Sequence, residues 1–210
     1  MQGKKDDKEQ ERVGERERTD EQDQVKEQEV TYEIYAAMPD DGKRYEIIDG
    51  SLMLMSPGPS TNHQFVSGEL EFLLRQSCKS EYVIFDAPLD VILSKVDVFQ
   101  PDLVMIHRSR MQIVTSRGIE GPPDLAVEIV SPGSRSRDKV IKMKSYAKYG
   151  VEEYWVVDTE SRTLEQYRLL DSPIYELHAV FERDDPVASD KLPCVSFTVS
   201  DIFKELGSFG

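Results

Sequence analysis

The chain has 210 residues, 39% of them hydrophobic and 31% charged, with a formal net charge of -14. That length suffices for one domain with a sizeable core, and so negative a charge excludes a general polyanion binder unless basic residues are concentrated locally. The only cysteines, Cys78 and Cys194, form no CxxC or Cys/His cluster, which excludes a structural zinc and a dense disulfide framework. Both are expected to be ordinary thiols in a reducing cytosol. The first residues carry no apolar signal core, and no window approaches the roughly 18 consecutive apolar residues of a membrane span. The expectation is a soluble, cytoplasmic protein with no membrane partner.

Residues 1–30 are dominated by Lys, Arg, Asp, Glu and Gln, and their few valines are too irregularly spaced for a helical seam. They read as a disordered or fraying charged tail, and the folded domain is expected over 31–210. From Thr31, a short helix leads to the turn Pro39-Asp40-Asp41-Gly42. Asp49-Gly50, between Tyr45-Glu46-Ile47-Ile48 and Leu52-Met53-Leu54, signals a hairpin, because a type I′ turn needs positive φ at both central residues. Alternation puts Glu46 on the face of Ile48, pointing to a polar cleft or to solvent, and the local pattern favours solvent.

Ser60 or Thr61 can cap a helix running to about Gln76, with Val66, Leu70, Leu73 and Leu74 as its buried stripe and His63 in its first turn. Taken alone, such a histidine is an exposed or capping residue. Residues 82–107 read as three strands: 82–87, 89–93 and 98–106. Pro101 falls in the third and marks an edge, entry point or bulge. Asp102 follows it on the face of Val104 and Ile106, which buries apolar side chains; on its own it reads as a strand-start cap. Residues 108–121 read as a polar loop.

Leu125-Ala126-Val127-Glu128-Ile129-Val130 holds five apolar residues in six, with Pro132-Gly133 closing the run, and reads as a buried strand. Glu128 is out of place there, since a buried carboxylate must be paired, protonated or bound to a metal. Asp138 can cap a helix over 139–149, with Gly150 at C′. Arg135, Arg137, Lys139, Lys142, Lys144 and Lys148 stand against one acid, Asp138, over this stretch. This is the local positive concentration that the net charge demands, and it offers a phosphate-contact surface, although such a run is more often a solvated face. Met143, Tyr146 and Ala147 make the apolar stripe, and Lys142 lies within about 40° of Tyr146, so it borders the packed face. Strands follow over 151–158, 163–169 and 175–181, and Ser200 can cap a short closing helix. The mixed order points to an α+β (α/β-like) domain with a central mixed β-sheet flanked by helices.

Gln100-Pro101-Asp102-Leu103-Val104, Asp124 to Pro132, Lys142 four residues before Tyr146-Ala147, and Gly150 to Asp158 together resemble the Uma family of bacterial restriction-endonuclease-like proteins, within the PD-(D/E)XK nuclease superfamily. Tyr45 to Gly50 and Ser56-Pro57 up to His63 belong to the same resemblance, which covers about residues 31–206. It implies a restriction-endonuclease-like fold and metal-dependent hydrolysis of DNA phosphodiesters. It assigns Asp102 and Glu128 as ligands of Mg2+, with Mn2+ as a substitute and the Ile129 carbonyl as a further ligand. A hard cation takes such oxygens and lowers the pKa of an attacking water. The superfamily lysine expected two residues after the acid is Val130 here; the family pattern supplies it from the following helix, at Lys142. Glu46 matches a family acid and His63 a family histidine near the site. Arg135, Arg137 and Lys139 are the candidate DNA contacts. Related nucleases often cut as dimers, which leaves a homodimer open, although no segment announces an interface. The alternative is a catalytically inactive nuclease-like domain that binds nucleic acid or a protein, kept open by Val130 and the net charge.

Overall fold

The computed structural model describes residues 29–55, 58–130, 137–171 and 173–206, of which 137–139 are described by backbone alone. The expected charged tail lies almost wholly outside them. In chain order the elements are α1 (Tyr32–Ala36), β1 (Tyr45–Ile48), β2 (Ser51–Leu54), α2 (Thr61–Cys78), β3 (Tyr82–Asp86), β4 (Val91–Ser94), β5 (Asp97–Phe99), β6 (Leu103–His107), β7 (Val114–Thr115) and β8 (Gly118–Glu120). Then come β9 (Leu125–Val130), α3 (Met143–Lys148), β10 (Glu153–Asp158), β11 (Thr163–Leu169), β12 (Tyr175–Glu182), β13 (Pro186–Val187), β14 (Phe197–Thr198) and α4 (Val199–Phe203). The class is α+β. The expected central sheet is accompanied by a second of equal size: one six-stranded sheet has the order β2-β1-β5-β4-β8-β7, the other β12-β11-β10-β9-β6-β3. Each contains a single parallel pair, β4 with β8 and β9 with β10.

Local chemistry accounts for most boundaries. Asp49 and Gly50 take φ of 46° and 75°, which is the type I′ turn the hairpin needs. Thr31 and Ser60 accept hydrogen bonds from the N–H groups of Ile34 and His63 and so start α1 and α2. The strand expected over 98–106 is instead two strands in different sheets, β5 and β6. Pro101 has no N–H to continue a ladder, so the chain leaves one sheet and enters the other across Gln100-Pro101-Asp102.

Residues 108–121 are more ordered than a polar loop. They hold a 3-10 turn over Arg108–Ile113 and the β7–β8 hairpin. Gly118, at φ 140°, lets this hairpin approach β4, since a Cβ there would lie 2.3 Å from the Asp90 carbonyl oxygen. The helix expected over 139–149 begins as a π-type turn, Arg137–Lys142, and becomes α-helical only in α3. Gly150, at φ 81°, ends it as expected. The last helix is capped by Thr198 rather than Ser200: Thr198 and Asp201 form a reciprocal capping box.

All six residues of β9 are buried, because both faces of its sheet are covered. Leu125, Val127 and Ile129 face a core built with Trp155 and Val157, the α2 stripe Val66, Leu70 and Leu74, and Ile202 and Phe203 of α4. Ala126 and Val130 face Tyr154 and Val156, Tyr146 and Ala147 of α3, and Ile48 and Phe99 of the other sheet. Burial of each such large side chain is worth about 1.5–3 kcal/mol. Glu128 falls on this second face, between the sheets. Cys78, at the end of α2, is joined to Cys194 by a disulfide with Cα atoms 5.1 Å apart, so the two are not ordinary thiols. Residues separated by 116 positions had no pattern that marked them as neighbours.

Candidate active site

The antiparallel register of β6 and β9 pairs Leu103 with Val127 and Val104 with Ala126. Continued by one residue, it sets Asp102 opposite Glu128, and residues opposite each other share a face. Asp102 Oδ2 accepts the Ile129 N–H at 2.7 Å and lies 3.2 Å from His63 Nε2. The strand therefore fixes the carboxylate through its own backbone, and the capped first turn of α2 brings the imidazole to it. Both side chains keep a little solvent access, 19% for Asp102 and 16% for His63.

Glu128 is 3% exposed, and its Oε1 accepts from Lys142 Nζ and from the Tyr146 hydroxyl, each at 2.9 Å. The same Lys142 ammonium lies 2.8 Å from Oε1 of Glu46. Glu46 is completely buried, which overturns the expectation that it faces solvent. Its hairpin face, shared with Ile48, is roofed by the second sheet and α3, and no local pattern reports that cover. Glu46 Oε1 also accepts the Gln100 N–H at 3.0 Å, whereas its Oε2 is buried with no hydrogen-bond partner. Gln100 thus ties Glu46 to the Pro101-Asp102 crossing between the sheets.

Lys142, 3% exposed, goes beyond bordering the packed face: it is inside it. Two carboxylates around one ammonium offset a desolvation cost of several kcal/mol per charge, and removing one member of such a set costs about 3–5 kcal/mol. Burial foremost, then the charges of Glu128 and Glu46, push the Tyr146 phenol well above its ordinary pKa, so it remains a donor to Glu128. Val130, two residues after Glu128 and on the same face, is completely buried among apolar side chains. Val130 therefore offers Glu128 no ammonium, and the one that reaches it comes from Lys142, at the end of the π-type turn before α3.

The structure brings together Glu46, Glu128 and Lys142, and separately Asp102, His63 and the Ile129 backbone. Sequence reading placed Tyr146 only in the core and gave Gln100 no role; the signal for Tyr146 was its spacing of four from Lys142. Of the candidate DNA contacts, Arg135 lies outside the described residues, as do the side chains of Arg137 and Lys139. Among the described residues no group of three His, Cys, Asp or Glu side chains is already gathered as a metal cluster. The donor chemistry nevertheless fits a hard divalent cation: the acids are carboxylates, and the partnerless buried Glu46 Oε2 is an oxygen with capacity to spare. No described helix is long and apolar enough to cross a membrane.

The fold is similar to that of a solved structure described as a putative nuclease belonging to DUF820 from Anabaena variabilis. That match has 20% identity and a TM-score of 0.69 and covers 84% of this chain and 99% of that one. A weaker match, the type IIG restriction endonuclease BpuSI, has 16% identity and a TM-score of 0.37, and covers 73% of this chain and 17% of that one. No curated protein matches the chain. The family model Uma2, described as "Putative restriction endonuclease", matches residues 32–200, and the chain belongs to that family.

Proposed function

We propose that this chain is a metal-dependent endonuclease that hydrolyses phosphodiester bonds of DNA, with residues 31–210 as the nuclease domain. Asp102, Glu128 and the Ile129 carbonyl would hold Mg2+, or Mn2+ in its place, with Glu46 available to complete the shell. The chemistry a bound Mg2+ supplies is polarisation of the phosphodiester and a lowered pKa of the attacking water. The observation that carries the proposal is the 2.9 Å contact between Lys142 Nζ and Glu128 Oε1, which supplies the lysine that Val130 lacks.

The chain's own groups divide the remaining work. Lys142 holds a fixed positive charge in a water-poor site, where it stabilises the extra negative charge of the pentacovalent phosphate. Glu46 pairs with that ammonium and aims it, and Tyr146 orients Glu128 by donating to it. His63 and the Ile129 N–H restrain Asp102 in one rotamer. In the overall step a water oxygen forms the new bond to phosphorus, the P–O bond to the leaving oxygen breaks, and that oxygen takes up a proton.

The test is cleavage of supercoiled plasmid and of single-stranded DNA with magnesium, manganese or chelator, beside Glu128→Gln prepared identically. Metal-dependent cutting that the variant loses is the expected result. No cutting by the wild type, with no metal uptake by calorimetry, would overturn the proposal in favour of a nuclease-like binding module.

A further inference from the structure

Another buried carboxylate, Asp97, lies outside the site but touches the hairpin that carries Glu46 and the helix that follows Lys142. Asp97 opens β5 and is completely buried. Its Oδ1 accepts the backbone N–H of Asp49, at the turn of the hairpin whose first strand carries Glu46. Its Oδ2 accepts from the Tyr149 hydroxyl at 2.5 Å and from Lys148 Nζ at 3.2 Å, both at the C-terminal end of the helix that follows Lys142. The phenol gives its one proton to the carboxylate, so Ser94 Oγ, 3.0 Å away, serves as a donor to the phenol oxygen. Lys148 Nζ also lies 3.5 Å from Asp49 Oδ1 and pairs with the same turn.

We propose that Asp97 is a positioning residue: by clamping the β1–β2 turn to the end of α3, it holds Glu46 and Lys142 in register with each other. The proposal rests on the functional reading above only for its kinetic consequence. The physical need is specific. Glu46 and Lys142 stand on different elements, and Lys142 ends a π-type turn, a loosely restrained start for a helix whose first residues must place an ammonium within 3 Å of two carboxylates. Core packing of Tyr146 and Ala147 restrains the middle of the helix, and its far end can add what the start lacks. Hydrogen bonds to a buried charge are the strong kind, and Asp97 makes them to both elements at once.

The test uses the full-length chain, without metal for exchange and with metal for cleavage. In amide hydrogen exchange, Asp97→Asn should speed exchange about tenfold or more in both 45–50 and 143–150 while β10 and β11 stay protected. Tyr149→Phe, a milder change, should loosen 143–150 alone. In cleavage, Tyr149→Phe should lower kcat about tenfold or more with KM within about twofold, since misplacement by an ångström costs up to about a hundredfold. Thr198→Ala, which loses the remote α4 cap, serves as the control for simple destabilisation and should leave kcat unchanged. Unchanged exchange in 143–150 for Tyr149→Phe, a uniform loss of protection, or an equal kcat loss in the Thr198 control would each overturn the clamp. If the wild type cuts no DNA, the functional reading falls, while the exchange results still decide the clamp.

Discussion

Glu46 and Glu128 stand on different sheets, yet each places its Oε1 within 3 Å of the same Lys142 Nζ, at 2.8 and 2.9 Å. The shared ammonium ties the two carboxylates together, so the site couples both sheets to the segment that leads into α3.

Lys142→Ala removes the ammonium that both carboxylates share. Unfolding in urea should show a loss of about 3–5 kcal/mol, and metal-dependent cleavage should fall about a hundredfold or more in the fraction that remains folded. Lys142→Arg should restore most of the stability and little of the activity, because a planar fork does not fit the place of a compact ammonium. Full activity in Lys142→Ala would remove the lysine from the mechanism.

Asp102→Asn keeps an acceptor for the Ile129 N–H, so the fold should survive, with a melting temperature close to that of the wild type. Manganese uptake measured by calorimetry should weaken about tenfold or more, since a neutral amide replaces an anionic ligand of a hard cation. Retention of wild-type affinity would show that the ion is held elsewhere.

Asp90 offers a pH signature. Its carboxyl pKa is raised, chiefly by burial and further by the Glu46 charge, against the opposing Gln100 hydrogen bond and Arg44. A raised folded pKa means that the ionised form is disfavoured by folding. The benefit is therefore present below the ordinary aspartate range and lost as pH rises through the folded value. Asp90→Asn should be more stable than the wild type at neutral pH, with the advantage closing in acid. Thermal melts at both ends of that window test the sign, and an advantage that grows in acid would reverse it.

The Cys78–Cys194 disulfide ties the C-terminal segment to the end of α2. Thiol titration of the unfolded protein should find no free thiol before reduction. Cys194→Ser should lower the unfolding free energy by up to about 4 kcal/mol, as expected when a long loop is released in the unfolded chain. Equal stability of oxidised and reduced protein would remove its structural role.

Much of the architecture was legible because its signals are local. Asp49-Gly50 demands a type I′ turn, Ser60 supplies a side-chain acceptor to α2, and the apolar run of β9 needs cover on both faces. The family blocks singled out Asp102, Glu128 and Lys142 as candidates, and the structure sets Lys142 against Glu128. Other features needed the third dimension: the strand expected over 98–106 divides at Pro101 between two sheets, and periodicity within one strand does not say to which sheet each half belongs.

The sequence by itself determined that Glu128 would be buried, that Lys142 would lie beside the packed stripe, and that Gly150 would end the helix. These follow from spacing and backbone stereochemistry over a few residues. Only the tertiary structure decided that Glu46 turns inward, that Tyr146 and Lys142 share Glu128, and that Asp97 joins the hairpin to α3. Each depends on which faces meet across the two sheets. Alternation along a strand tells which residues share a face, but only packing decides whether that face meets water or an ammonium ion.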